Sequence, residues 1–174
     1  MRARRIQLGI ILFWLGTHAF SAESVPLLGE HGFLRAAPGS EYLYYARSGP
    51  LRIYCRARGI SIVAASPYDT LYRVHRIDLD FPNSALAITA SQQRSELYHI
   101  VRSSMRYTAA AFEALRYTDV APGVDLLLRW SPVQFKYDLV VRPGGRLDKF
   151  RFTVHGGRIQ PHGDGAVHIR CGTE

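Results

Sequence analysis

Cysteine is nearly absent: Cys55 and Cys171 are the two in 174 residues. Without a CxxC pair there is no zinc ribbon or dithiol redox motif to read. Cys55 falls in phase with Leu51 and Ile53, and Cys171 with Val167 and Ile169, so both thiols are expected to point with the core. A Cys55–Cys171 disulfide and two separate buried thiols both fit, the first only in an oxidising compartment. Catalytic signatures are missing as well. There is no HExxH, no GxSxG, no phosphate-cradling Gly-rich loop and no Cys-His pairing. His155, His162, Asp164 and His168 are close in sequence, but their spacing gathers no metal ligands, and surface histidines are the expectation. No metal or other cofactor is expected. Nor is there an apolar run of roughly 20 residues, the length that crosses a bilayer as a helix.

What stands at the start of the chain is shorter and has three parts. Arg2, Arg4 and Arg5 form a basic region, Ile6 to Gly16 an apolar one, and Ala19-Phe20-Ser21 a small-x-small site. That order is the mark of a secretory signal. Residues 1–21 are therefore expected to be a signal peptide, and the mature protein to be exported: periplasmic, at the cell surface or secreted. Losing three arginines lowers the formal net charge from +8 to +5. The roughly 150 residues that remain suffice for one hydrophobic core. Residues 22–40, with turn residues and no period, are expected to be a linker or loose edge, and 41–174 one domain. The chain stops three residues after Cys171, just as a strand ends, which suggests a domain truncated at its C-terminus.

Alternation of apolar and polar residues dominates the rest, and it centres on 124–141. Val124, Leu126, Leu128 and Trp130 fall on one face of a strand, and Phe135, Tyr137, Leu139 and Val141 on one face of the next. Four residues connect them, a common hairpin length. Leu128 is then expected to face Tyr137, Asp138 to face Leu127, and Asp125 to face Val140. Pro122-Gly123 opens this hairpin and Pro143-Gly144-Gly145 closes it. Shorter alternating stretches run over 42–46, 51–57, 60–65, 71–81, 85–90, 150–154, 158–161 and 166–171, with a loop at 66–69. Thr108–Ala114 has the alanines of a single helical turn. About ten short antiparallel strands and no long helix predict an all-β, β-sandwich-like domain of two sheets around the central hairpin.

The run RYTDVAPGVDLLLRW followed by FKYDLVVRPGG resembles a bacterial domain of unknown function. That domain lies at the N-terminus of exported proteins bearing SBBP β-propeller repeats, PKD or other Ig-like domains. Arg116, Tyr117, Val120, Pro122, Gly123, Asp125, Leu126, Tyr137, Asp138, Val141, Pro143, Gly144 and Gly156 stand where the family pattern has them. Ala121, Arg129-Trp130 and Gly145-Arg146-Leu147 depart from it. The likeness is good over 116–169 and fainter over 42–81. It implies an irregular crossing over 91–114 and a surface-protein setting, with downstream repeat domains as partners. It implies no activity.

The acids worth weighing are Asp119 and Asp125 at the Pro-Gly turn, Asp138 in mid-strand and Asp164 in the last turn. A glycosidase needs two carboxylates facing each other across a cleft. Here Asp125 and Asp138 are diagonal on neighbouring strands. Turn-bonding by Asp125 and an ion pair of Asp138 with Lys136 or Arg129 are preferred. Asp78 and Asp80 share a strand face, and its wet side is preferred over a calcium site. Arg47, Arg52, Arg56, Arg58, Arg73 and Arg76, interleaved with Tyr42, Tyr44, Tyr45, Tyr54 and Tyr72, make the first half basic. Export argues against nucleic acid as the partner, and an envelope polysaccharide fits better. The expectation is a non-catalytic, exported structural or adhesion-type module. Pro122, Gly123, Asp125, Trp130, Tyr137, Asp138, Pro143 and Gly144 are then structural residues. The rivals are a carbohydrate-binding module, which needs an exposed coplanar row of aromatic rings, and a glycoside hydrolase with paired carboxylates.

Overall fold

A computed structural model describes residues 4–6, 32–48, 50–68, 71–82, 87–102, 105–131, 135–161 and 167–170. The chain is all-β. An 11-stranded antiparallel sheet curls strongly into a half-barrel, and a two-stranded sheet stands beside it. The strands in chain order are β1 (Arg4–Ile6), β2 (Phe33–Arg35), β3 (Tyr44–Ser48), β4 (Leu51–Arg56) and β5 (Gly59–Tyr68). Next come β6 (Leu71–Asp80), β7 (Ile88–Arg102), β8 (Met105–Ala121), β9 (Val124–Arg129) and β10 (Lys136–Val141). A 3-10 turn at Leu147–Lys149 precedes β11 (Thr153–His155), β12 (Arg158–Pro161) and β13 (Val167–Arg170). The large sheet runs β1-β10-β9-β8-β2-β3-β4-β5-β6-β11, with β7 also paired to β8.

The curl is possible because β8 serves two neighbours along one edge. Ala114–Tyr117 pair with β9, while Ala111 and Phe112 pair with β2. The concave side then encloses the main core. Ile53 and Cys55 of β4, Ile60 and Ile62 of β5, and Ile77 and Leu79 of β6 meet Leu115, Tyr117, Val124, Leu126, Leu128 and Leu139 there. The hairpin has the expected register, Tyr137 opposite Leu128, Asp138 opposite Leu127 and Asp125 opposite Val140. All eight apolar residues of its inner face belong to this core or pack against it.

Several expectations change. The linker over 22–40 gives way by Phe33 to strand β2, whose Phe33 and Leu34 are wholly buried between β8 and β3. Its neighbours in sequence are turn-rich, and three residues are too few for a period to show. Thr108–Ala114 is strand, not a helical turn, and the described residues of 91–114 lie in β7 and β8, with one register shift between Gln93 and Leu97, rather than in an irregular crossing. Ala109 and Ala111 sit buried under Leu34, Tyr45 and Ile100 in a second, smaller core. Pairing with distant strands outweighs the modest helix preference of alanine. The loop expected at 66–69 is also strand as far as Tyr68, with Pro67 opposite Tyr72. Finally, the two sheets are unequal: β12 and β13 alone form the small one.

Candidate functional site

The hairpin acids lie on the outer, convex face of β8, β9 and β10. Asp125 is 3 % exposed. Its Oδ1 accepts the Asp119 backbone N–H at 3.0 Å, and its Oδ2 accepts Arg116 Nη1 at 3.2 Å. Arg142 Nη2 stands 3.6 Å from the same carboxylate. Asp119 adopts φ +55°, within the register shift between Tyr117 and Ala121. That turn lets its carboxylate accept the Gly123 N–H at 3.2 Å and bond the Arg142 guanidinium. Asp138, half-buried one strand away, accepts Arg129 Nε at 2.9 Å. Arg116, Arg142, Asp119 and Asp125 thus form one network, and Arg129 and Asp138 a separate pair, on the face that carries the small apolar cluster of Ala114, Leu127 and Val140. Each carboxylate is committed to a backbone or guanidinium donor inside the fold.

The remaining hairpin residues fix its two ends. Gly123, at φ +69°, lies so close to Gly145 that a Cβ on it would stand 2.7 Å from the Gly145 Cα. Arg142 N–H donates to the Gly123 carbonyl at 2.9 Å and Arg146 N–H to that of Pro122 at 2.8 Å. The Pro122-Gly123 and Pro143-Gly144-Gly145 turns are therefore one stacked unit. At the far end Trp130 is half-buried; its Nε1 donates to the Arg47 carbonyl at 2.8 Å. Tyr137 is likewise half-buried against the core.

Cys55 is wholly buried as a free thiol, and it hydrogen-bonds with Tyr117. Burial pushes the thiol from 9.0 up to about 12, which the Tyr117 bond only partly opposes. Cys171 lies outside the described residues, and so does the disulfide expectation that depends on it. His162 and Asp164 lie outside them too. Among the described residues no group of three or more His, Cys, Asp or Glu could hold a metal ion.

Elsewhere on the convex face, β4, β5 and β6 floor a cleft of about 280 Å³. It is lined by Tyr54 and Arg56 of β4, Ser61 and Val63 of β5, Arg76 of β6, and Glu41 and Tyr42 from the segment before β3. The register explains the grouping: Tyr54 faces Ser61, which faces Asp78, and Val63 faces Arg76. Gly59 separates Arg56 from Asp80 in the next row. Having no Cβ, it lets Arg56 Nη2 cross to Asp80 Oδ1 at 2.7 Å. Arg76 donates to Asp78 at 3.0 Å and to the Ser61 hydroxyl at 3.3 Å. Burial alone would raise the Asp78 carboxyl, but the Ser61 hydroxyl and Arg76 more than offset it and hold it below the ordinary carboxylate range. His155 Nε2 stands 3.5 Å from Asp80 at the side of the row. Tyr42 meets Tyr54 with ring centroids 5.0 Å apart and planes at 61°.

Of the basic, tyrosine-rich stretch, Tyr42, Tyr54, Arg56 and Arg76 are the described residues that converge here. Tyr44 and Tyr45 are buried in the two separate cores. Arg52 and Arg58 are exposed outside the lining, and the side chains of Tyr72 and Arg73 are outside the described ones. Sequence reasoning missed Glu41, Ser61 and Val63. The signal for Ser61 was its place between inward Ile60 and Ile62, which turns it to the face of Tyr54.

Residues 36–174 match the model of a family described as a domain of unknown function, DUF7948. The match spans both stretches that carry the resemblance. No curated protein and no solved structure matches the chain.

Proposed function

The chain belongs to the DUF7948 family of domains of unknown function, and we propose that it is a non-catalytic structural or adhesion-type module of an exported bacterial envelope or secreted protein. The finer setting, at the head of proteins with SBBP, PKD or other Ig-like repeats, is part of the same proposal and rests on the hairpin motif. The observation that carries the non-catalytic reading is the commitment of the hairpin carboxylates. Asp119, Asp125 and Asp138 are each held by guanidinium or backbone donors. A nucleophile or general acid must present a free oxygen to substrate, and bonds to donors within the sheet compete with that. Two acids diagonal on adjacent strands, with an arginine beside each, act as fasteners of a sheet.

The test is enzymatic and thermal together. Wild type, Asp125→Asn and Asp138→Asn are assayed on a broad glycan and ester panel, and their melting curves recorded. Asp→Asn is nearly isosteric, so a catalytic acid would lose turnover while keeping its melting temperature. Turnover in the wild type that vanishes in a variant of unaltered stability would establish the hydrolase instead. The expected outcome is no turnover and a change in stability alone.

A further inference from the structure

We propose that the cleft formed by Tyr42, Tyr54, Arg56, Ser61 and Arg76 binds one ring of a neutral glycan. This rests on the reading of the domain as a non-catalytic, adhesion-type module, and it names the ligand class. Size comes first. Ligand clefts usually run roughly 300–1,000 Å³, and one of about 280 Å³ admits a single ring-sized group. Shape agrees, because Tyr42 and Tyr54 meet at 61° and form a corner. A flat row of rings would accept a long chain laid along it; a corner accepts the apolar face and edge of one pyranose.

Charge then decides the chemistry. The basic sequence suggests an anionic ligand, but the arginines here are already compensated. Arg56 bonds Asp80 and stands 3.6 Å from Asp78, while Arg76 bonds Asp78 and stands 3.9 Å from Glu41. Counted with Asp78 and Asp80 beside the lining, two guanidinium groups face three carboxylates, a cluster formally at −1. A polyanion would meet that field and would have to displace Asp78 or Asp80 from its partner. A sugar hydroxyl both donates and accepts, so it can use an arginine N–H and a carboxylate oxygen together without breaking the pair. A donor remains for it on Arg76, about half exposed at 51 %.

The experiment titrates the full chain by calorimetry with cellohexaose, mannohexaose and chitohexaose, and with oligogalacturonate as the anionic arm. Released reducing ends are measured in the same samples. At least one neutral hexasaccharide is expected to bind more tightly than oligogalacturonate. Arg76→Ala, a half-exposed position, is expected to weaken binding at least about ten-fold while unfolding stays cooperative, and Tyr42→Ala to do the same. Failure of every neutral ligand, tighter binding of the anion, or an Arg76→Ala variant that binds like wild type would overturn the cleft assignment and leave the non-catalytic reading in place. Release of reducing ends that is abolished in Asp125→Asn or Asp138→Asn would overturn the non-catalytic reading, and the inference with it.

Discussion

Tyr117 joins three parts of the chain through one hydroxyl. It sits in β8, reaches the β4–β5 turn 3.0 Å from the carbonyls of Arg56 and Gly59, and meets the Cys55 thiol. Tyr117→Phe keeps the ring and is expected to cost about 1–3 kcal/mol, because it leaves buried acceptors unsatisfied; chemical denaturation measures this. The thiol gives a pH prediction with a defined sign. Cys55 ionises near 9.0 when unfolded and near 12 when folded, so the native state holds the proton more tightly. Its contribution is whole below pH 9 and is lost as pH rises toward 12, by up to about 1.4 kcal/mol per pH unit. Tyr117, raised well above its ordinary 10.0 by burial, acts in the same direction. Melting temperatures at about pH 8 and about pH 10.5 are expected to differ less in Cys55→Ala than in wild type; an equal fall in both would show that the thiol is not buried neutral. In sequence Cys55 could be placed inward by its phase with Ile53. Its tyrosine partner, 62 residues on, carried no such mark.

At the scale of elements, the β9–β10 hairpin was legible because everything it needs is local. Alternation, a short connection and Pro-Gly pairs at both ends lie within 24 residues of one another, and the observed register follows from them. The β7–β8 arm was not. Its outward residues Ser91, Gln93, Ser95 and Leu97 mix polar and apolar types, and its buried alanines only make sense beneath Leu34 and Tyr45 from other strands. The hairpin also yields an ordered pair of mutations. Asp125 is 3 % exposed and holds three donors together, so Asp125→Asn is expected to cost about 2–3 kcal/mol. Asp138 has one guanidinium partner on a partly wet face, and Asp138→Asn is expected to cost about 1 kcal/mol or less. Equal losses in urea unfolding would mean that the turn does not depend on Asp125. Trp130→Ala is expected to cost about 3 kcal/mol, the low end for such truncations, since the ring is half-buried.

For the whole molecule, the alternating patterns announced a β fold but could not announce how far its main sheet curls. That depends on β8 handing its edge from β9 to β2, and β2 is three residues long. The cleft was half legible for the same reason. Outward Tyr54, Arg56, Arg76, Asp78 and Asp80 could be read strand by strand, whereas their convergence needs the register of β4, β5 and β6. The N-terminus supplies the last prediction. Arg4–Ile6 pair with Leu139–Val141 at the edge of the sheet. The basic, apolar and small-x-small order of residues 1–21 predicts that export removes this strand and leaves β10 as an edge. Among the residues whose burial is described, the main core begins at Phe33. A chain starting at Ala22 is therefore expected to unfold cooperatively. Its melting temperature should lie within a few degrees of the full chain, since about 1 kcal/mol moves a chain of this size by roughly 2–4 °C. Amino-terminal sequencing of the exported protein should begin near Ala22. A Met1 terminus on exported material would sink the signal assignment, and loss of cooperative unfolding in the shortened chain would make β1 part of the fold.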